Sequence, residues 1–300
     1  MTPSSPTLAL AGPAWSAGAG ERAGKETDAI LLHHEPLILI KGAGDMASGV
    51  AHRLHQAHLR LVMTEVPQPL AVRRSVSFCE AVHDGRQVVE GVEAARVADA
   101  EGVAAAWSQG RIPLLVDPDL ACLAWLKPDV LVEATLAKRN LGLNKDLAPL
   151  VIALGPGFQA GVDAHLVVET LRGHDLGRIY DQGWAIPNTG APAPVDGVGA
   201  ERVLRAPADG VFAAAIELGA VVEKGQEVGR VAGRPVLAGV AGVVRGLIRP
   251  GATVRQGLKI GDVDPRGRPE YLHTISDKAR ALGGAVLEAI LRVYNRPKAD

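Results

Sequence analysis

Short apolar runs, each closed by glycine, proline or charged residues, set the rhythm of the chain from Pro36 to about residue 195. Leu37 to Ile40, Leu59 to Thr64, Ile112 to Val116, Val130 to Ala134 and Leu150 to Leu154 are the clearest. Strands covered on both faces read this way, because neither face needs a polar residue. Helix-compatible stretches lie between them, so the pattern predicts alternating strands and helices around a parallel sheet. Residues 82 to 97, with the turn signal Asp84-Gly85, read as a small hairpin insertion.

The pattern changes after residue 195. Gly210, Gly219, Gly225, Gly229 and Val231 recur as Gly242, Gly251, Gly257, Gly261 and Val263, the same offset of 32 residues five times. Each unit holds short β-type runs separated by glycine turns, so two hairpin-like halves are expected to wrap into one small domain over residues 196–268. This resembles the barrel-sandwich hybrid of biotinyl and lipoyl carriers. Those carriers present a lysine where the halves join, but the joint here is VAGRPV, residues 231 to 236. Biotin or lipoyl attachment is therefore not expected.

Residues 269–300 carry apolar positions at Ala279, Leu282, Val286, Ile290 and Val293, the spacing of a helix that packs back on the first domain, with Ser276 or Asp277 as its cap. Residues 1–35, rich in Ala, Gly, Pro and Ser without periodicity, read as a disordered tail.

The first strand leads into Gly42-Ala43-Gly44-Asp45-Met46-Ala47, and the second ends in Glu65, 21 residues after Gly44. That spacing is a dinucleotide fingerprint. Gly42 allows the sharp turn, Gly44 lets backbone amides approach a pyrophosphate at a helix N-terminus, and Glu65 would accept ribose hydroxyls. The expectation is thus an α/β chain with a Rossmann-like nucleotide-binding domain over residues 36–195. Segments leaving the carboxyl ends of the strands add Arg73, Arg74, Lys138, Arg139 and Asn140, and a Gly155-Pro156-Gly157 turn placed before a helix. Converging, they would clamp an anion.

Among acid–base candidates, Asp163, His165, Glu169, His174 and Asp175 cluster in sequence, and His174 and Asp175 are the catalytic candidates; no nucleophile motif accompanies them. His52, His55 and His58 share a helix face only pairwise, so no metal site is expected.

Composition narrows the partners. The net charge is −1 and aromatic residues make up 3%, without a basic stripe, which argues against nucleic acid. Cys79 and Cys122 form no disulfide framework, and no run approaches a membrane span of about 18 apolar residues, so a cytoplasmic protein with a small anionic ligand is expected. An NAD-like nucleotide fits the fingerprint, with an NAD-dependent oxidoreductase as one functional reading.

The stretches KGAGDMASGVAHRLH, MTEVPQPLAVRRSVSFCEAV, KPDVLVEATLAKRNLG and LVIALGPGFQAGVDAHLVVETLRGHDLGRI, with ERVLRAPADGVF and IGDVDPRGRPEYLHTISDKARALGGAVLEAIL, resemble the YqeB family of selenium-dependent molybdenum hydroxylase system proteins. The resemblance covers about residues 36 to 292. It implies an accessory role in maturing molybdenum hydroxylases, a molybdopterin-type ligand as alternative to the nucleotide, and a molybdenum hydroxylase or cofactor-biosynthesis protein as partner.

Overall fold

The computed structural model describes residues 35–188, 190 and 194–295. The tail expected over residues 1–35 lies outside them except for Glu35. The five apolar runs and the hairpin segment after residue 82 become β1 (Ile38–Lys41), β2 (Leu61–Glu65), β3 (Arg86–Val89), β4 (Val92–Val97), β5 (Ile112–Val116), β6 (Val130–Glu133) and β7 (Leu150–Leu154), with β3 and β4 from the hairpin. Shorter strands follow: β8 (Gln159–Ala160), β9 (Leu166–Val168), β10 (Ile179–Tyr180) and β11 (Gly183–Trp184). Nine of these form one sheet in the order β10-β9-β7-β6-β1-β2-β5-β4-β3, while β8 pairs with β11 apart from it. The inner pairings are parallel, but both edges are antiparallel, β10 on β9 and β3 on β4.

Helices α1 (Asp45–Gln56), α2 (Ala81–Asp84), α3 (Ala100–Ser108) and α4 (Leu123–Leu126) accompany the sheet. Between β6 and β7 there is only a 3-10 turn, Lys145–Leu147, and no helix joins β7 to β9. The cover missing there comes from the other end of the chain. Helix α5 (Asp277–Tyr294) lies against α1, β7 and β9, and its Ala279, Leu282, Val286 and Ile290 join the core beneath the sheet. Ser276 caps it, accepting from the Ala279 N–H. Val293, expected on the apolar face, is exposed.

The residue-82 hairpin forms with its turn elsewhere. Gly85 (φ +79°) ends α2, and the strands reverse instead at Glu90-Gly91 (φ +44° and +84°). A left-handed glycine serves a helix end as well as a hairpin, so the residue pair alone did not say which.

Beyond residue 200 the strands are β12 (Val203–Arg205), β13 (Gly210–Ala214), β14 (Val221–Val222), β15 (Glu227–Val231), β16 (Arg234–Leu237), β17 (Gly242–Leu247), β18 (Thr253–Val254) and β19 (Lys259–Asp264). They form two four-stranded antiparallel sheets, β12-β19-β17-β14 and β16-β15-β13-β18. Each sheet takes one short strand, β14 or β18, from the other repeat. Repeated glycines share their conformation: Gly210 and Gly242 lie at φ +150° and +151°, Gly219 and Gly251 at +93° and +86°, Gly225 and Gly257 at +87° and +80°. The joint Ala232-Gly233 (φ +49° and +76°) turns β15 into β16.

The expected fold class is corrected accordingly. A Rossmann-like parallel sheet followed by a biotinyl-like barrel is replaced by a large mixed sheet with antiparallel edges, roofed partly by the C-terminal helix, and by two small antiparallel sheets. Among the described residues no helix is long and apolar enough to cross a membrane.

Candidate functional site

The carboxyl ends of β1, β2 and β6 face the β17–β19 pair across a cleft of about 470 Å³. Its floor is the turn after β1. Gly42 (φ +100°) is required there, since a Cβ would meet the Ala134 carbonyl carbon and the Thr135 nitrogen at 3.2 Å. Gly44 at φ −71° has open space where a Cβ would stand. Gly42, Gly44, Asp45, Met46, Glu65 and Arg73, all expected at a site, line this cleft. Ala43 is fully buried beneath them.

Glu65 is held by main-chain donors. Its Oε2 accepts the Ala43 N–H and its Oε1 the Val66 N–H, both at 2.8 Å. Burial raises its carboxyl pKa, against these two hydrogen bonds, which lower it. The amide that a pyrophosphate would use at Ala43 is therefore already spent on the carboxylate expected to hold the ribose.

Arg73 is 7% exposed. Its Nη2 donates to the Tyr271 and Thr274 carbonyls at 2.7 and 2.9 Å, and its Nη1 lies 3.5 Å from Asp45 Oδ2. Its Nε and Nη1, and Asp45 Oδ1, are buried without a hydrogen-bond partner. Burial raises the Asp45 carboxyl pKa, with Arg73 opposing, and burial likewise lowers that of the Arg73 guanidinium.

Five further cations, none of them among the expected site residues, reach the cleft: Arg172, Arg202, Arg245, Lys259 and Lys278. Asp262 on β19, 1% exposed, gathers three of them: Arg202, Arg245 at 2.6 Å and Lys259 at 3.5 Å. Arg245 also reaches Asp264 at 3.0 Å, and Arg172 pairs with Asp277. One signal for this cluster was present in sequence. At the 32-residue offset Arg245 stands against Ala213 and Asp264 against Ala232, so charges break the small-residue pattern in the second repeat only.

The other expected residues lie elsewhere. Arg74 donates to the Leu247 carbonyl at 2.8 Å and faces Glu80 at 3.6 Å, tying the first sheet's loop to β17. Lys138 and Arg139 are exposed. Their backbone packs on Gly157, where an added Cβ would sit 2.7 Å from the Arg139 nitrogen. Gly155-Pro156-Gly157 leads into β8 rather than a helix. Asn140 braces its own loop, holding Leu143 and Asp163. None of these residues lines the cleft.

Residues 165–169 span β9, so His165 and Glu169 are not one helical turn apart. His165 Nδ1 accepts the Val151 N–H, and Glu169 accepts those of Leu171 and Ile186. His174 is exposed, and Asp175 pairs with Arg178 at 3.2 Å. Both stand away from the cleft lining. His58 falls beyond the end of α1. Among the described residues no group of three or more His, Cys, Asp or Glu side chains could hold a metal ion.

No protein-family model matches the chain. Among solved structures, the ectoine utilization protein EutE (DoeB) of Ruegeria pomeroyi has a TM-score of 0.23 and 15% identity, covering 76% of this chain and 84% of that one. A succinylglutamatedesuccinylase/aspartoacylase of Rhodobacter sphaeroides has a TM-score of 0.25 and 18% identity, covering 76% and 85%. An aspartoacylase family protein of Mesorhizobium loti has a TM-score of 0.24 and 13% identity, covering 77% and 85%. The maturation role, the dehydrogenase alternative and Rossmann-type nucleotide binding find no support in these matches and are not proposed for this chain, and at these scores the matches carry no argument about its fold or activity. In sequence, the Uncharacterized protein YqeB of Escherichia coli (strain K12) is 45% identical over 260 residues, 87% of this chain and 48% of that protein. The resemblance seen in the motifs is thus one to YqeB along most of the chain, which spans about half the length of that relative.

Proposed function

We propose that the cleft binds a small anionic ligand through carboxylate or phosphate oxygens. The observation that carries this is Arg73, which lines the cleft: a buried guanidinium anchored on one nitrogen by two main-chain carbonyls, with Nε and Nη1 buried without hydrogen-bond partners and Nη1 3.5 Å from Asp45. Donors left unsatisfied in a buried site cost about 1–3 kcal/mol each, so a ligand oxygen that meets them is favoured. Six basic side chains against three acidic ones, Asp45, Glu65 and Asp262, line the cleft and favour an anion there.

Calorimetry of the full chain with oxalate, succinate and inorganic phosphate tests the reading, and separates carboxylate from phosphate preference. Arg172, on the rim and paired with Asp277, is the residue to vary, because a partly exposed pair contributes little to folding. Arg172→Gln is expected to weaken binding about tenfold, the equivalent of roughly 1.4 kcal/mol, with the melting temperature of the ligand-free protein nearly unchanged. Absence of binding by all three anions at millimolar concentration would overturn it.

A further inference from the structure

We infer that Lys278 is a nucleophile that forms an imine with a small anionic carbonyl compound, a 2-oxo acid or a phosphorylated aldehyde, held in the cleft. The inference rests on the anion-binding reading above and adds the class of ligand. Its basis is a contrast among the six cations of the cleft. Arg73, Arg172, Arg202, Arg245 and Lys259 each have a carboxylate partner within 4 Å. The side-chain amine of Lys278, which lines the same cleft, makes no hydrogen bond or ion pair with any described residue.

Its position sharpens the contrast. Lys278 is the second residue of α5, at the end of the helix where unpaired N–H groups disfavour a cation. A lysine retained there gains nothing electrostatically from the helix. Burial, then the positive charges of Arg172 and Lys138, bring its amine down to about 8, against the attraction of Asp45 and Glu169. About a tenth of the amine is then neutral at pH 7, enough to attack a carbonyl.

The step balances without an oxidant or reductant. The Nζ lone pair forms a bond to the carbonyl carbon as the C=O π pair moves to oxygen, and proton transfer from nitrogen to oxygen gives a carbinolamine. The C–OH bond then breaks, water leaves and the C=N bond forms. Asp45 is suited to carry the proton, because its Oδ1 is buried without a partner and its charge acts on Lys278. Arg73 and Arg172 would hold the carboxylate or phosphate of the same molecule.

The test treats the full chain with sodium cyanoborohydride and, in separate arms, pyruvate, 2-oxoglutarate or glyceraldehyde 3-phosphate, then maps adducts by peptide mass spectrometry. The expected result is reductive alkylation of Lys278 at least about tenfold above exposed Lys127 and Lys224, suppressed by excess oxalate, with an initial rate that climbs to a plateau above about pH 8. Lys278→Arg should lose the adduct at position 278, whereas Lys224→Arg, at an exposed position outside the cleft, should leave the labelling of Lys278 unchanged. The pyruvate and aldehyde arms decide between the two classes of anion. No adduct at Lys278 in any arm, or labelling spread evenly over the lysines, overturns the inference. If oxalate nevertheless binds by calorimetry, the anion-binding reading survives; if it does not, both fall.

Discussion

Asp262→Ala is expected to cost the fold about 3–5 kcal/mol, because it leaves buried cations without their counter-charge. One carboxylate, 1% exposed, receives Arg202, Arg245 and Lys259 from three strands or turns of the small sheets. Removing it leaves guanidinium groups in a site that burial already disfavours for Arg202. Urea unfolding followed by circular dichroism measures the loss, and a midpoint equal to wild type would show that the network does not hold the sheets. Lys259→Gln added to Asp262→Asn should recover part of the loss, since one uncompensated charge is gone and the two sites are in contact. Acid should weaken the same region. Burial opposes ionisation of Asp264, but Arg266 and Arg245 hold its carboxyl below the ordinary range. Its contribution to stability is therefore present above the unfolded pKa of about 4 and is lost as pH falls through the lower folded value.

Gly49→Leu is the second substitution with a large expected effect. At the crossing of α1 and α5 a Cβ on Gly49 would lie 2.6 Å from the Ala279 Cβ and 2.9 Å from the Ala279 carbonyl oxygen, and one on Gly283 would lie 2.8 Å from the Gly49 carbonyl oxygen. Backbone stands on both sides, so no side-chain rotation relieves the clash, and α5 must lift from the sheet it covers. The loss should be about 3 kcal/mol or more, roughly 6–12 °C in melting temperature for a chain of this size. Gly44→Ala is the control. Its φ of −71° suits any residue and nothing stands within 4 Å of the added methyl group, so calorimetric melting should be unchanged or slightly higher. If Gly49→Leu melts as wild type does, the two helices do not meet as closely as described.

The pair of glycines shows how sequence and structure divide the information. Gly44 drew attention through its motif, yet the backbone there tolerates a side chain. Gly49 has no motif, and its need for a bare Cα arises only because a helix from residue 277 onward lies across it. Close approach between distant segments leaves no local pattern.

Local physics was legible. Five apolar runs became β1, β2, β5, β6 and β7, because runs of this length without polar interruption suit a strand buried on both faces. The 32-residue offset was readable because each repeated glycine meets the same backbone demand, as the matched φ values of Gly210 and Gly242 show. Ser276 could be named as a cap from its place before an apolar stripe.

What the chain by itself determined was therefore the strands, the glycine turns of the small sheets, and the presence near the cleft of Gly42, Asp45, Glu65 and Arg73. Tertiary structure decided their partners. It turned Glu65 onto the Ala43 N–H, gave Arg74 to the Leu247 carbonyl, and put α5 where a crossover helix was expected. It also brought Arg172, Arg245 and Lys278 to a turn more than 120 residues earlier in the chain. Charge pairing acts over a few ångströms of space, with no memory of sequence separation, and so the electrostatics of the cleft exist only once the chain has folded.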